Sequence, residues 1–369
     1  MNINYITIKS FKDVEGINSK INGQVKTFIN QNYKIKRLYS NKKIFFSKLM
    51  DIENKMKKIN NCEIIYIRDL GVMNLFLFHI FKKLKKRKNI LILEMPTPLR
   101  AVYRETLNSN ENYIKKKLKL LSYNILEKNL FDYFHIIVEY APEKNRILDK
   151  YKNKIIMINN GLDLSSIRIK EKNKDNKKLN ILSIANNSKW HGYDRVIKGM
   201  YEYYKKNPKK DVYYHCVGEG SELQNLKNLV KELKLEKYVI FHGTKTGEEL
   251  DEIVDDSDIA FGSLANHRKA MYVDSALKNR EYCARGIPFV IASDDSDFPE
   301  SFPYVYRISQ DETPVNIEKV IKFYDSIKNK NYIEEMRKYA EKNLTWDIKM
   351  RPVIERIKEL ANEKREPNK

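Results

Sequence analysis

At 369 residues, with 42% hydrophobic, 11% aromatic and 32% charged side chains, the chain is too long for one core and too apolar for wholesale disorder. Its three cysteines, Cys62, Cys216 and Cys283, fit neither a disulfide framework nor a zinc spacing, which suits a reducing, cytoplasmic setting. Seventy Lys/Arg against 49 Asp/Glu leave a net charge of +21, unevenly placed: residues 1–165 hold 32 basic against 15 acidic side chains, and residues 166–369 hold 38 against 34. Such a field attracts an acidic surface, either anionic lipid or nucleic acid.

The opening MNINYITIKSF reads as a strand and lacks the layout of a signal peptide, and LGVMNLFLFHIF (Leu70 to Phe81) is too short to span a bilayer. Apolar runs then recur between helix-length amphipathic stretches. In the first half they are Asn4–Ile8, Tyr33–Tyr39, Glu63–Ile67, Asn89–Glu94, His135–Val138 and Lys154–Ile158. In the second they are Leu179–Ala185, Val212–Val217, Val239–His242, Asp258–Phe261, Phe289–Ala292 and Tyr304–Arg307. This alternation predicts βαβ units and two α/β domains with parallel sheets. The polar run within 166–178, RIKEKNKDNKK, is expected to link a first domain (1–165) to a second (179–345).

Eight of the twelve glycines lie between Gly192 and Gly286, mostly after expected strands, where open α/β sheets hold ligands. In ILSIANNSKWHGYDRVIKGM, a strand, a loop with Lys189 and Gly192, and a helix start make a workable phosphate cradle; an ordinary strand-to-helix turn fits the same residues. Gly218 and Gly220 flank Glu219 in a short Gly-x-Gly, alone a weak signal. From Leu264 to Ala292, Lys278 and Glu281 share a helix face at i, i+3. A carboxylate there can accept ribose hydroxyls, while Arg268, Lys269 and Lys278 can neutralise a diphosphate. A solvated ion pair between Lys278 and Glu281 is the plainer alternative.

Taken in order, SKWHGYDRVI, then VGEGSELQNLKNLVKELKLEKYVIFHGTKTGEELDEIVDDSDIAFGSL, then LKNREYCARGIPFVIA resemble the nucleotide-binding domain of GT-B glycosyltransferases, most closely glycosyltransferase family 4. NNGLDLSSI resembles the turn by which that family leaves its first domain. LTWDIKMRPVIERIKEL resembles its terminal helix, so that 346–369 are expected to pack back on residues 1–165. The resemblance implies two Rossmann-like domains with parallel sheets facing across a cleft. It also implies transfer of a sugar, with retention of configuration, from a UDP- or GDP-sugar donor and without a metal cofactor. The acceptor would be lipid-linked or a glycan, at the cytoplasmic face of the membrane.

By resemblance, Glu281 matches the family's second paired glutamate, which holds the ribose, Lys189 lies in the loop that supplies a cation to the diphosphate, and Gly218, Gly243 and Thr244 line the donor. Two departures stand out. Val273 occupies the place of the first glutamate, with Asp274 beside it, and the family's arginine ahead of Lys189 is missing. Arg268, Lys269 and Lys278 are expected to take over anion binding, with Asp274, Lys189 and Arg268 as the catalytic set. Gly16 resembles the loop facing sugar and acceptor; Arg68 and Arg100, at strand ends, are candidates for an acceptor phosphate. A non-catalytic nucleotide-sugar-binding protein, or a GT-B epimerase or hydrolase, is the alternative.

NLFLFHIFKKLKKRK joins an apolar helix start to six basic residues between Lys82 and Lys88, and ENYIKKKLKLL repeats the pattern; an amphipathic basic helix lying on an anionic bilayer looks like this, as does a solvated lysine-rich face. No base-stacking platform is interleaved, which disfavours nucleic acid. The acidic strings VDDSD (Val254 to Asp258) and SDDSD (Ser293 to Asp297) read as a helix end and a loop after a strand, and no metal is expected there.

Overall fold

Short β-branched runs bounded by polar turns extend as strands, and longer amphipathic stretches close as helices over them. The computed structural model describes residues 1–8, 15–97, 99–107, 112–140, 150–171 and 177–365, and all twelve apolar runs form strands in it. The first six are β1 (Asn2–Ile6), β2 (Lys34–Leu38), β3 (Ile64–Arg68), β4 (Ile90–Met95), β5 (Ile136–Glu139) and β6 (Ile155–Met157). Between them run α1 (Glu15–Asn30), α2 (Phe45–Lys57), α3 (Asn74–Lys86), α4 (Leu99–Leu107) and α5 (Tyr113–Asn129). The next strands are β7 (Lys178–Ile184), β8 (Asp211–Val217), β9 (Val239–Gly243), β10 (Ile259–Phe261), β11 (Phe289–Ile291) and β12 (Val305–Arg307). Their helices are α6 (Tyr193–Tyr204), α7 (Leu223–Glu232), α8 (Gly247–Asp255), α9 (Leu277–Arg285), α10 (Ile317–Ile327) and α11 (Tyr332–Asn343), and the last helix is α12 (Trp346–Arg365).

The strands make two six-stranded parallel sheets, ordered β2-β1-β3-β4-β5-β6 and β12-β11-β10-β7-β8-β9. Strand order reverses between β1 and β3 in the first and between β7 and β10 in the second; the carboxyl ends of strands at such a reversal are where ligands enter open α/β sheets. The chain divides into two units, Met1–Gly161 with Trp346–Lys369, and Leu162–Thr345. Residues 166–171, expected to open a linker, are instead held on the second unit. Arg168 pairs with Asp255, and the buried Lys170 donates from its Nζ to Ser257 O at 2.6 Å and from its backbone to Arg285 O at 2.8 Å.

In the first unit, alternate strand residues face opposite ways. Ile3, Tyr5, Ile64, Tyr66, Ile92 and Val138 meet α1 and the inward stripe of α12, Trp346, Met350, Val353, Ile357 and Leu360. Ile6, Ile65, Ile67, Leu91 and Leu93 meet the other layer of helices, including Leu77, Ile80, Phe81 and Leu84 of α3. The apolar half of α3, expected to be available to a bilayer, is therefore core, because its helical stripe is the one that covers the sheet. Its lysines face outward, together with Phe76 and His79. The second unit has one continuous core spanning both faces of its sheet.

Candidate functional site

The reversal between β7 and β10 is built from four strand ends. After β7, residues Ala185–Ser188 turn into a short 3-10 helix, Lys189–His191, and Gly192 (φ 68°) swings the chain into α6. A Cβ on Gly192 would lie 2.8 Å from that of Ala265, since Leu264 and Ala265 donate to His191 O and Trp190 O at 2.9 and 3.1 Å. Gly218 (φ 113°) is equally constrained: a Cβ there would sit 2.0 Å from Ala185 O. Asn187 N donates to Glu219 O at 2.5 Å and Gly218 N to Gly243 O at 2.7 Å, lacing the ends of β7, β8 and β9 together. This packing accounts for Gly218 and Gly243 without a ligand; Thr244 beyond them is exposed.

Tyr282, which the sequence reading passed over, latches the reversal. Its buried hydroxyl accepts from Ile184 N at 3.0 Å and donates to Phe261 O at 3.3 Å, tying α9 to both strands. Its place in a helix just ahead of an expected Gly cap gave no sign of this.

Lys278 stands in the first turn of α9, half-buried, with Nζ 3.2 Å from the Tyr193 hydroxyl and 5.6 Å above that ring. The ion pair with Glu281 does not form. Glu281 accepts instead from Arg285 Nε at 3.1 Å, and no carboxylate lies within ion-pair distance of Lys278 among the described residues. Burial, only partly offset by the charge of Asp274, pushes Lys278 down to about 7. His191, stacked on Tyr193 with ring centroids 5.5 Å apart, is pushed down to about 2 by burial and then by Lys278 and Lys269, so it stays neutral. Lys269 lies 4.9 Å above the Trp190 ring, and Lys189 is exposed. Asp274 is fixed between Asn266 Nδ2 at 2.8 Å and Ser275 N at 2.7 Å, and Val273 beside it bridges to Asp294 through its backbone.

Arg268, expected to be an anion-binding cation, is fully committed within the protein. Nη1 donates to Asp194 Oδ1 at 2.8 Å and to Lys189 O at 2.7 Å, Nη2 to Asp194 Oδ2 at 2.8 Å and to Glu312, and Nε to Glu312 at 2.9 Å. These use all five donors of a guanidinium, and the two carboxylates hold it well above the usual arginine range. Its place is to fix the loop that carries Lys189. The string at Ser293 to Asp297 has a similar explanation: Asp295 binds the fully buried Arg280 of α9 through both oxygens at 2.9 Å, and Asp297 closes on the same guanidinium. Asp258 accepts from Asn180 N at 2.8 Å and Tyr324 Oη at 3.0 Å. Among the described residues no group of three or more His, Cys, Asp or Glu is placed to hold a metal.

Of the residues expected on the first unit, only Arg68 has a described side chain. Gly16 lies in the first turn of α1. Arg68 is buried against Glu94, and Glu94 also accepts from Tyr140 Oη at 2.9 Å and Tyr5 Oη at 3.3 Å, with Gln24 bridging the two tyrosines at 2.6 Å each. Burial pulls Arg68 down, but the charge of Glu94 together with Tyr5, Tyr140 and Tyr66 outweighs it and holds Arg68 above its ordinary range. The backbone of Arg100 belongs to α4, and its side chain lies outside the described residues.

Two parallel α/β units whose second sheet ends in a lysine-rich, glycine-laced reversal have the GT-B architecture. A family model described as Glycosyl transferases group 1 matches residues 166–304. That match lies within the second unit, and the chain is a nucleotide-sugar-dependent glycosyltransferase. Its fold is similar to that of sucrose-phosphate synthase from Thermosynechococcus elongatus, at 12% identity and TM-score 0.70 over 98% of this chain and 99% of that one. Anabaena Alr3699/HepE, solved in complex with UDP, aligns at 12% identity and TM-score 0.66 over 97% and 100%. The lipopolysaccharide outer core galactosyltransferase WaaB, in its apo form, aligns at 13% identity and TM-score 0.61 over 99% and 100%. No curated protein matches the sequence.

Proposed function

We propose that the chain transfers a sugar from a UDP-sugar, or a GDP-sugar, to a lipid-linked or glycan acceptor at the cytoplasmic face of the membrane, with retention of configuration and without a metal. The observation that carries the donor site is Lys278, a half-buried cation without a carboxylate partner at the head of α9. Lys189, Lys269 and Lys278, with the uncapped N–H groups of α9, receive the diphosphate. Glu281 holds the ribose, Gly243 and Thr244 meet the base, Gly218 borders it, and Asp274 takes the hydroxyls of the transferred sugar in place of the glutamate that Val273 replaces. Arg268 positions the Lys189 loop rather than touching the donor.

As the anomeric C–O bond breaks, negative charge grows on the departing diphosphate, and these cations bind it more strongly in the transition state than in the ground state. The acceptor oxygen bonds to the same carbon and its proton passes to a departing phosphate oxygen. The UDP and UDP-glucose complexes of the Anabaena protein favour uridine, and the lipopolysaccharide relative favours a surface-glycan acceptor. No described helix is long and apolar enough to cross a membrane, so attachment is peripheral in this reading. Calorimetric titration of UDP and GDP into Glu281→Ala is the test: loss of binding supports the assignment, and unchanged affinity for both defeats it.

A further inference from the structure

Seventeen large hydrophobic side chains are exposed among the described residues, and eleven of them lie between Ile44 and Ile125 in the helical layer over one face of the first sheet; the second unit contributes only Ile169, Trp190 and Tyr272. The densest row is on α5. Ile114, Leu118, Leu121 and Ile125 follow one another at intervals of four, three and four, which on a helix places them within an arc of about 60°. Ile114 is 68% and Leu121 57% exposed, while Leu126 of the same helix is fully buried in the core. A helix docked on a soluble domain turns charged residues outward; α5 has a second apolar face instead. A second group stands nearby in the same layer: α3 packs against both α2 and α5, and Phe45, Phe46 and Phe76 form an edge-to-face cluster with centroids 5.3 to 6.3 Å apart. Met50 of α2 is exposed as well.

The surroundings are basic. Between Lys42 and Lys128 the sequence holds 20 Lys/Arg against 8 Asp/Glu. Lys117 and Lys128 flank the α5 row, and Lys82, Lys83, Lys85 and Lys86 face outward from α3, with Lys88 exposed in the turn after it. A second copy of this chain would bring two such fields face to face, which like charge opposes. Nucleic acid would meet the lysines but leave the aliphatic row in water.

We propose that the outer face of α5, with Phe45, Phe46 and Phe76, enters the headgroup boundary of an anionic bilayer while the lysines of α3 and α5 meet lipid phosphates. This rests on the membrane reading above and relocates its contact. The α3 lysines supply electrostatic attraction only, because the apolar side of α3 other than Phe76 is core; insertion belongs to the α5 row and the Phe45, Phe46 and Phe76 cluster. Neither attraction nor insertion alone makes a stable anchor, and together they do.

The test is flotation of the full chain with vesicles of phosphatidylglycerol and phosphatidylcholine, and of phosphatidylcholine alone. The protein floats with the anionic set. Leu118→Glu/Leu121→Glu lowers the partition coefficient about tenfold or more, since two side chains lose their apolar burial, with melting temperature and UDP affinity unchanged because both sites already face water. Should that variant unfold, Leu118→Trp reads insertion directly, by a blue shift of its emission with anionic vesicles that the parent does not show. Partitioning of Leu118→Glu/Leu121→Glu equal to the parent's, or an unshifted emission from a Leu118→Trp variant that floats, overturns the α5 assignment and leaves the membrane reading standing. Failure of the parent to float ends both, as does a dimer by light scattering that the same double variant dissociates.

Discussion

The two sheets reverse strand order at equivalent places, and the two places are furnished in opposite ways. At the β1/β3 reversal the strands bring in Tyr5, Arg68, Glu94 and Tyr140, and Glu94 accepts from the other three. Burial, then the charge of Glu94, keeps the hydroxyls of Tyr5, Tyr66 and Tyr140 protonated far beyond neutral pH. At the β7/β10 reversal the arginines are also neutralised, Arg268 by Asp194 and Glu312 and Arg280 by Asp295 and Asp297. The lysines are not. Arginine, with its planar fork, is used as internal structure in both sheets, whereas Lys189, Lys269 and Lys278 are left for something else. That difference is the ground for placing the proposed anion site in the second unit.

The largest effect that tests this contrast is on stability. Arg68→Ala strands the fully buried Glu94 and is expected to cost about 3–5 kcal/mol, seen as a lowered urea midpoint, while UDP affinity in the surviving folded protein stays as it was; a parallel loss of nucleotide affinity would break the comparison. Next, Lys278→Ala reverses the pattern. Donor affinity falls by about 1.5–3 kcal/mol, the range for a charged hydrogen bond, measured by calorimetry, and melting temperature holds or rises because a desolvated cation has been removed.

The pH dependence sharpens the same point. With Lys278 at about 7 in the free protein, the diphosphate favours its charged form, so donor binding takes up a proton. Affinity for UDP-glucose, whose diphosphate does not titrate in this range, is expected to be flat below pH 6 and to weaken by up to about tenfold per unit above 7. Lys278→Arg should abolish the slope; a slope of the same size in that variant would remove Lys278 as its source. The same depressed value means that the unfolded chain, with an ordinary lysine, binds more protons between about 7 and 10. From this group alone, stability of the free protein therefore rises with pH across that window. The smallest effect concerns Arg268. If it only steadies the Lys189 loop, Arg268→Gln weakens UDP binding by about 0.5–1 kcal/mol, less than Lys278→Ala, with a lowered melting temperature; a loss larger than that of Lys278→Ala would make it a ligand after all.

The strands were legible because buried parallel strands are written as unbroken apolar runs; Ile64–Ile67 and Ile90–Leu93 have no other reading. The order of strands was not, since it depends on which neighbours pair rather than on any local pattern. Lys278 was legible as a cation near a helix start. Its freedom was not, because i, i+3 spacing with Glu281 is equally good for an ion pair, and only the fold shows Arg285 taking that carboxylate. The partners of Arg268 were hidden for the same reason in reverse: Asp194 and Glu312 lie 74 and 44 residues away and no spacing rule reaches them. In α3 the apolar stripe was visible, but a stripe does not say whether a sheet or a lipid covers it; α5 carries one of each.

The clamp of Arg280 on Asp295 and Asp297 has a mechanical consequence. It pins the middle of α9 to the loop after β11 while Tyr282, two residues on, pins it to β7 and β10, so the helix bearing Lys278 and Glu281 has little freedom left to surrender. A molecule settling on its first turn meets a rigid anvil. Discrimination among such molecules then follows from fit and charge, with almost no entropic toll for shaping the surface that receives them.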